Sequence, residues 1–312
     1  MDPEEQHVGI AVIFPGQGSQ APGAGRPWQG QPAWSVVDEA EAATGLPLAS
    51  LLLDASAEDL AGTRESQLSV LMASLVAWRG LATTIDEGDL VAVAGHSLGQ
   101  ITALIAAEAV SLSDGVRLAV ARAEACAAAQ AATGGAMLAL LGADEDQATQ
   151  ACTAAPGRAW VANLNGAGQV VVGGDADALD AVAERATELG VRRVRALTVD
   201  GAFHTPLMQA AADAFAPALA ATTFSTPRFP VVTNHDAVAV STADGWPDRL
   251  TTHLVSPVRW SEVVERLVHL GADTIIEVGP GTTLTGLTKR IAPDVTARSV
   301  STPEHLPVEA NP

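Results

Sequence analysis

A serine flanked by glycines lies between two apolar segments in the first third of the chain. The stretch Gly95-His96-Ser97-Leu98-Gly99 follows an apolar run at residues 90–94 and precedes another at 98–109. We predict a buried strand for the first run and a helix for the second. Such a turn presents the serine hydroxyl beside the helix N-terminus, whose amides can bind a developing oxyanion. The pattern predicts that Ser97 is the nucleophile of an acyl-transfer enzyme, and a chance glycine–serine turn is the alternative.

A serine hydroxyl is a weak nucleophile, so this chemistry also needs a base nearby. His96 belongs to the turn itself, and we expect its ring to pack beside the serine and line the pocket. His204 lies in a loop before a predicted helix, where the rim of a cleft is expected, and it is the candidate base. The other five histidines lie near a terminus or in polar loop and helix-end contexts, where exposed histidines are ordinary: His7, His235, His253, His269 and His305.

Strands and helices alternate along most of the chain, which predicts an α/β fold whose parallel sheet is covered on both faces. Residues 135–199 differ, because their predicted order βαββαβ is that of a ferredoxin-like unit. We therefore predict a large α/β-hydrolase-like domain with a parallel sheet core, formed by residues 1–134 and 200–312. The small ferredoxin-like domain, residues 135–199, is inserted into it.

Composition and hydropathy exclude several classes of protein. The chain has 312 residues, 48% of them apolar, which is enough to bury a sizeable core. No apolar run approaches the roughly 20 residues that a membrane span needs, and the acidic start is unlike a secretory signal. Cys126 and Cys152 give neither a disulfide framework nor metal-ligand spacing. We expect a cytoplasmic protein with no metal site, working away from membranes.

The charge of the chain is strongly negative, at −19 from 17 basic and 36 acidic residues. Such a field repels phosphate backbones, so we expect no nucleic-acid partner. An anionic partner needs a local basic site, and the dense basic groups are Arg192, Arg193 and Arg195 and the pair Lys289-Arg290. Solvated charges at strand edges and helix ends are the alternative interpretation.

Four motifs occur in a fixed order along the chain: Phe14-Pro15-Gly16-Gln17-Gly18-Ser19-Gln20, Gly95-His96-Ser97-Leu98-Gly99, Gly201-Ala202-Phe203-His204 and Glu277-Val278-Gly279-Pro280-Gly281. Together they resemble the malonyl-CoA:acyl-carrier-protein transacylases, the acyltransferase family of fatty-acid and polyketide synthesis. The resemblance runs from about residue 8 to 300 and includes the inserted small domain. It implies ping-pong transfer of a malonyl group from malonyl-CoA to an acyl carrier protein or polyketide-synthase carrier domain. No tightly bound cofactor is expected, and we expect a monomer.

The resemblance also implies roles for the catalytic groups. Ser97 corresponds to the nucleophile and His204 to its base, while the backbone amides of Gln17 and Leu98 correspond to the oxyanion hole. No acidic third member of a triad stands out. A backbone carbonyl from residues 256–260 is therefore expected to orient His204, and the carbonyl of Arg259 is the first candidate. Asp200 is the alternative orienting group.

Further residues are implied to line the substrate site. Arg122, 25 residues beyond the nucleophile, corresponds to the arginine that pairs with the free carboxylate of a malonyl group. A planar guanidinium suits a carboxylate because it offers two parallel donors; without the resemblance, a surface arginine on an alanine-rich helix is the better interpretation. Gln67 and Asn165 correspond to active-site amides. Phe203 corresponds to a bulky ring that leaves no room for an α-branch, and a core phenylalanine is the alternative.

The chain departs from the family pattern at three positions near these residues. Gln100 stands where glutamate is usual, Ala123 where glycine is usual, and Cys126 near a common methionine. None of them removes a catalytic role, but they bear on the acyl group, which could be methylmalonyl or larger. Three other functions also stay open. They are a polyketide-synthase acyltransferase acting in trans, a serine acyl-thioesterase, and a non-catalytic module that docks a carrier protein.

Overall fold

The protein is described here by a computed structural model that covers residues 9–166, 168–199 and 201–307. These residues form two sheets. The strands are β1 (Ile10–Phe14), β2 (Leu90–Gly95), β3 (Ala136–Leu141), β4 (Ala159–Gly166), β5 (Gln169–Gly174), β6 (Arg193–Ala196), β7 (Val231–Val232), β8 (Ala239–Val240), β9 (Thr274–Val278) and β10 (Thr296–Val300). The helices are α1 (Ser35–Thr44), α2 (Leu48–Leu53), α3 (Thr63–Leu81), α4 (Gly99–Ala106), α5 (Leu112–Thr133), α6 (Glu145–Ala154), α7 (Ala176–Glu188), α8 (Gln209–Ala220), α9 (Trp246–Val255), α10 (Trp260–His269) and α11 (Thr283–Ile291).

The larger sheet has six strands in the order β10-β9-β1-β2-β7-β8. Its strands pair in parallel except for β7 and β8, which are antiparallel. The central strand β1 is apolar along its whole length and completely buried, as expected for a parallel strand covered on both faces. Val12 and Phe14 face the helical layer that contains α3 and α5, whereas Ala11 and Ile13 face α10 and α11. The predicted α/β domain with a parallel sheet core is confirmed.

The smaller sheet has four strands in the order β4-β5-β3-β6, and all of its pairs are antiparallel. With α6 and α7 packed against it, the chain order is β3-α6-β4-β5-α7-β6, the predicted ferredoxin-like βαββαβ arrangement. Strand β4 also forms backbone hydrogen bonds outside the smaller sheet, to the segment that precedes α10. The Val258 carbonyl accepts from the Leu164 amide at 2.8 Å, and the Val258 amide donates to the Ala162 carbonyl at 2.9 Å. These backbone bonds hold the smaller sheet against the segment that precedes α10.

Three elements need a closer description. Strand β7 has only two residues, Val231–Val232. Helix α5 is capped by Ser111, whose side chain accepts from the Asp114 amide. Helix α9 supplies a residue of the site described below. In the ranges given above, no helix is both long enough and apolar enough to cross a membrane.

The turn between β2 and α4 leaves no room for a side chain at either flanking glycine. A Cβ at Gly95 would lie 1.9 Å from the Gly99 carbonyl oxygen, and one at Gly99 would lie 2.2 Å from the Phe14 carbonyl oxygen. Between them Ser97 adopts φ 54°, a left-handed conformation that non-glycine residues seldom take. The predicted strand–turn–helix is therefore present, and it packs directly on the carboxyl end of β1.

We expect Gly99→Ala to lower the free energy of unfolding by about 1–3 kcal/mol, because the new methyl group must push α4 away from β1. Gly286→Ala is the matched control, since Gly286 also lies in a helix but its added Cβ would have no atom within 4 Å apart from the backbone of its own helix and its chain neighbours. That change should be neutral or should stabilise by up to about 1 kcal/mol through helix propensity. Urea denaturation measures both, and equal stability of the two variants would contradict the close packing.

Candidate active site

Ser97 and His204 meet at the carboxyl end of the larger sheet. The Ser97 Oγ lies 2.8 Å from the His204 Nε2, and the His204 Nδ1 lies 2.9 Å from the backbone carbonyl of His253. A carbonyl can only accept, so Nδ1 carries the ring proton and the Nε2 lone pair faces the serine hydroxyl. The tautomer is therefore the one that a general base requires.

The His204 ring is held neutral by its surroundings. Burial lowers its pKa, and the positive charge of Arg122 lowers it further, to about 3, although the hydrogen bond to the His253 carbonyl opposes the shift. At neutral pH the imidazole is thus free to accept a proton. Like Ser97, His204 is left-handed, with φ 59°. Two non-glycine residues in this conformation within one site are typical of geometry held by the surrounding structure.

The orienting carbonyl belongs to His253, and the prediction of Arg259 was wrong. The Arg259 carbonyl accepts from the Val263 amide at 3.0 Å as α10 begins, so it faces its own helix. Its guanidinium contacts the Glu262 carboxylate at 2.6 Å. The carbonyl of His253 is available because it lies in the last turn of α9, where helix carbonyls have no partner inside the helix. Asp200, the alternative orienting residue, lies outside the described residues.

His253 was also expected to be an ordinary exposed histidine, but its side chain is only 1% exposed. Its ring stacks on that of His204, with centroids 5.0 Å apart and an angle of 27° between the planes. Burial holds its pKa well below the usual value. A sequence signal was available, because Trp246, Leu250 and Leu254 mark a buried stripe at helical spacing and His253 falls on it.

Arg122 projects from α5 into the same site. Its Nη2 lies 3.1 Å from the Ser97 Oγ and its Nη1 lies 2.5 Å from the Gln67 Oε1. The side chain is 4% exposed, and burial lowers its pKa, yet an arginine stays charged in proteins. Among the described residues, no carboxylate lies within ion-pair distance of it. A buried cation with only neutral partners leaves a place for an anionic group beside Ser97.

The loop after β1 passes directly over the nucleophile. A Cβ at Gly16 would lie 2.6 Å from the His96 carbonyl oxygen and 3.4 Å from the Ser97 Cβ. Neither the Gln17 amide nor the Leu98 amide donates a hydrogen bond to any residue that the structure describes. An oxyanion hole needs such unpaired backbone amides close to the serine, so these two amides are the candidates for it.

The smaller sheet contributes Asn165, near the tip of the β4–β5 hairpin. Its Oδ1 lies 3.1 Å from the His96 Nε2. Burial lowers the pKa of His96 to about 4 and the bond to Asn165 opposes this, so the ring is neutral at neutral pH and Nε2–H donates. The His96 ring also packs on Trp260, 5.2 Å between centroids. The bond joins the serine turn to the smaller sheet.

Phe203 is half-buried and packs against the apolar cores beneath both sheets, next to His204 in the chain. This placement fits both interpretations of Phe203, so its part in acyl selection stays a prediction. Of the three departures, Ala123 and Gln100 are buried, and the buried Cys126 lies one turn beyond Arg122. Burial raises the pKa of the Cys126 thiol, whereas the Arg122 charge and a hydrogen bond from Gln67 lower it.

Asn234 was missed by the sequence analysis. Its side chain is fully buried, and its Oδ1 accepts from the Ser97 amide at 2.8 Å. The signal was weak: a polar run, residues 233–236, follows a two-residue apolar segment. Only the pairing of β7 beside β2 brings that run to the serine turn.

Together these side chains can activate a serine hydroxyl, stabilise a tetrahedral oxyanion and bind a carboxylate next to it. Acyl transfer through an acyl-serine uses all three capacities. In the part of the chain that the structure describes, no three His, Cys, Asp or Glu side chains lie close enough together to hold a metal ion.

Comparisons with known proteins point to the same chemistry. The family model of the acyl transferase domain matches residues 11–302. The malonyl CoA-acyl carrier protein transacylase of Bacillus subtilis is 36% identical over 302 residues, which is 95% of this chain and 95% of that protein. The Escherichia coli K12 protein of the same name is 36% identical over 303 residues, or 95% of this chain and 97% of its own.

Solved structures of similar proteins superpose on this chain over both of its sheets. The crystal structure of MCAT from Mycobacterium tuberculosis superposes with a TM-score of 0.89 at 36% identity, covering 97% of this chain and 99% of that one. A malonyl-transacylase in complex with a type II polyketide-synthase acyl-carrier protein gives 0.88 at 32% identity, covering 94% and 96%. The family resemblance of the four motifs is confirmed, and this chain belongs to the acyl transferase domain family, on the branch of the malonyl-CoA:acyl-carrier-protein transacylases.

Proposed function

We propose that this protein transfers a malonyl group from malonyl-CoA to the phosphopantetheine thiol of an acyl carrier protein, through an acyl-ester on Ser97. The observation that carries the proposal is the Arg122 guanidinium, buried 3.1 Å from the Ser97 Oγ without a carboxylate partner among the described residues. Exchange between a thioester and a serine ester needs no electron sink or redox centre, so no tightly bound cofactor is invoked. We place the enzyme in the cytoplasm, as a monomer.

The first half of the reaction uses the geometry directly. His204 Nε2 takes the proton of the Ser97 hydroxyl as Oγ attacks the malonyl thioester carbonyl. The oxyanion that forms is bound by the Gln17 and Leu98 amides. As the C–S bond breaks, the imidazolium returns its proton to the CoA thiolate. Free CoA leaves, and the malonyl-serine ester remains.

The second half reverses the first with a different thiol. His204, neutral again, takes a proton from the phosphopantetheine thiol, which attacks the ester carbonyl. The collapse of the intermediate gives the malonyl thioester of the carrier and returns the proton to Ser97. Arg122 holds the malonyl carboxylate throughout, and this fixes the position of the ester carbonyl.

The alternative of a thioesterase differs in the fate of the ester, because water would discharge it. A plain acyl chain would leave the Arg122 charge buried and unpaired, which is costly. A carboxylate-bearing acyl group satisfies it, so the site favours malonyl over uncharged acyl groups. We propose that the Phe203 ring, next to His204, disfavours an α-branched acyl group.

The carrier protein must find a basic surface on a chain of net charge −19. The tip of the β4–β5 hairpin lies between two candidate basic groups. On one side, a Cβ at Gly142 would lie 2.9 Å from the Arg192 Cγ, while the Gly142 amide donates to the Gly168 carbonyl at 2.6 Å. On the other, a Cβ at Gly166 would lie 2.9 Å from Ile291, the last residue of α11.

We call these two groups together the basic rim: Arg192, Arg193, Arg195, Lys289 and Arg290. Each member is exposed, and none has a carboxylate within ion-pair distance among the described residues. The nearby Glu145 and Glu262 are already engaged by Arg259. Because the hairpin that the rim flanks also carries Asn165 into the site, we propose the basic rim as the carrier contact.

The covalent step is tested with labelled malonyl-CoA and intact-mass measurement. We expect one malonyl adduct per chain that persists alone and transfers to a phosphopantetheinylated carrier protein. Ser97→Ala should abolish it, and His204→Ala should slow it on the order of 10²–10⁴-fold. His269→Ala, an exposed histidine on α10, is the control and should react normally. Free malonate instead of transfer would establish a hydrolase, and no adduct would leave only a docking module.

The acyl group is tested by comparing malonyl-CoA with acetyl-CoA. Arg122→Ala should lower kcat/KM for malonyl transfer by about 100-fold or more, since it removes a charge-assisted pair, while acetyl transfer is unchanged or improved. Arg122→Lys keeps the charge but loses the two parallel donors, so its kcat/KM for malonyl transfer should lie between the values of wild type and Arg122→Ala. The malonyl-to-acetyl ratio is the decisive quantity because Arg122 also touches Gln67 and Ser97. An unchanged ratio would refute the malonyl assignment.

The basic rim is tested by charge reversal on the smaller sheet. The double variant Arg192→Glu/Arg193→Glu should raise the KM for carrier protein about tenfold and leave the KM for malonyl-CoA within about twofold. Arg158→Glu/Arg185→Glu is the matched control, with the same charge change at two arginines that already pair with Asp175 and Glu188. If the KM for carrier protein rises equally in both double variants, the basic rim is not the carrier contact. The same holds if the KM values for carrier protein and malonyl-CoA rise equally.

A further inference from the structure

One buried side chain ties the two ends of the serine turn to a neighbouring loop. The Asn234 Oδ1 accepts from the Ser97 amide at 2.8 Å, and its Nδ2 donates to the Gly95 carbonyl, also at 2.8 Å. The residue is 0% exposed. One amide group therefore satisfies a donor and an acceptor on the two sides of His96, inside a turn whose own geometry pairs neither.

These bonds are placed where the backbone needs support. Ser97 is left-handed, with φ 54°, a conformation that persists in a non-glycine residue only when its surroundings stabilise it. A buried amide or carbonyl left without a partner is costly as well. Asn234 removes both unpaired groups in the one conformation that points the Ser97 hydroxyl at His204.

The same contacts decide which amides stay free for chemistry. Because the Ser97 amide is occupied by Asn234, it cannot donate to an oxyanion. The Leu98 amide, one residue further, is left without a partner among the described residues, as is the amide of Gln17. The Ser97 amide, bound to Asn234, thus stabilises the turn, whereas the Leu98 amide stays free to bind an oxyanion.

Asn234 also connects the turn to the smaller sheet. Its backbone carbonyl accepts from the Arg259 amide at 2.8 Å. Val258, the residue before Arg259, is paired through its backbone with Ala162 and Leu164 of β4. Strand β4 also contains Asn165, which bonds to His96 within the serine turn. A closed ring of contacts therefore runs from the turn through Asn234 and β4 back to the turn.

We infer that Asn234 is a positioning residue for the nucleophile: it holds the serine turn in its reactive conformation and takes up the Ser97 amide, so that oxyanion binding falls to Gln17 and Leu98. The inference rests on the proposed acyl-serine mechanism. Both polar atoms of the side chain are used within the protein, and the residue is fully buried, so Asn234 acts through Ser97 and does not touch the substrate.

Two substitutions separate the two bonds. Asn234→Asp keeps an oxygen for the Ser97 amide but has no N–H for the Gly95 carbonyl, whereas Asn234→Ala removes both bonds. Thr233→Val is the matched control, because Thr233 is equally buried in the same loop but bonds to Asp236 and Val238 and not to the serine turn. It reports any general effect of loosening this loop.

The measurement is the time course of serine acylation, followed by intact mass, with a fluorophosphonate probe and with malonyl-CoA. For Asn234→Ala we expect labelling that still reaches one per chain but about 10- to 100-fold more slowly. The KM for malonyl-CoA should stay within about threefold of wild type. Asn234→Asp should also label more slowly than wild type, because an acceptor oxygen then faces the Gly95 carbonyl in place of an N–H donor. Thr233→Val should label at the wild-type rate.

Other outcomes would overturn the inference. A lower final extent of labelling with an unchanged rate means that Asn234 matters only for folding. An equal slowing in Thr233→Val means that the loop as a whole is responsible. If wild-type protein reacts with the fluorophosphonate but not with malonyl-CoA, the proposed function fails. The probe rates of the Asn234 variants still decide whether Asn234 positions Ser97.

Discussion

Arg122 brings a full positive charge into a site from which solvent is largely excluded, and the neighbouring groups are arranged around that charge. Its direct partners are neutral, the amide of Gln67 and the hydroxyl of Ser97. Burial, aided by the guanidinium, keeps His204 unprotonated, so a base coexists with a cation in one small volume. Among the described residues, no anion pairs with Arg122, and a carboxylate on the acyl chain completes the electrostatic balance.

Precision at the hydroxyl comes from backbone packing and not from catalytic side chains alone. The two glycines of the serine turn allow α4 to approach the end of β1 more closely than any side chain would permit. This contact fixes the helix N-terminus, and the left-handed residues Ser97 and His204 face each other across it. The His253 carbonyl orients the His204 imidazole in the position that a carboxylate occupies in a triad. The imidazole is therefore oriented without a carboxylate charge that would neutralise Arg122.

Much of the fold followed from local patterns. The apolar runs of β1 and β2, with glycine turns after them, predict buried parallel strands because such strands have no polar face. The order βαββαβ predicts a ferredoxin-like unit with its own antiparallel sheet, and the smaller sheet has that order, since four strands and two helices in that sequence have few alternatives. Strand β7 and helix α9 have weak local signals, because β7 has only two residues and α9 is amphipathic among loops.

By itself, the sequence determined the serine turn, its candidate base and the family, since glycine spacing and motif order are local properties of the chain. Tertiary structure alone decided which carbonyl orients His204, that the His253 ring stacks on it, and that Asn234 holds the Ser97 amide. These residues come from loops and helix ends distant in sequence, and their contacts depend on how β7 pairs with β2 and how α9 packs against α8. Such packing has no local sequence signature, because long-range contacts are set by the whole core and not by any single segment.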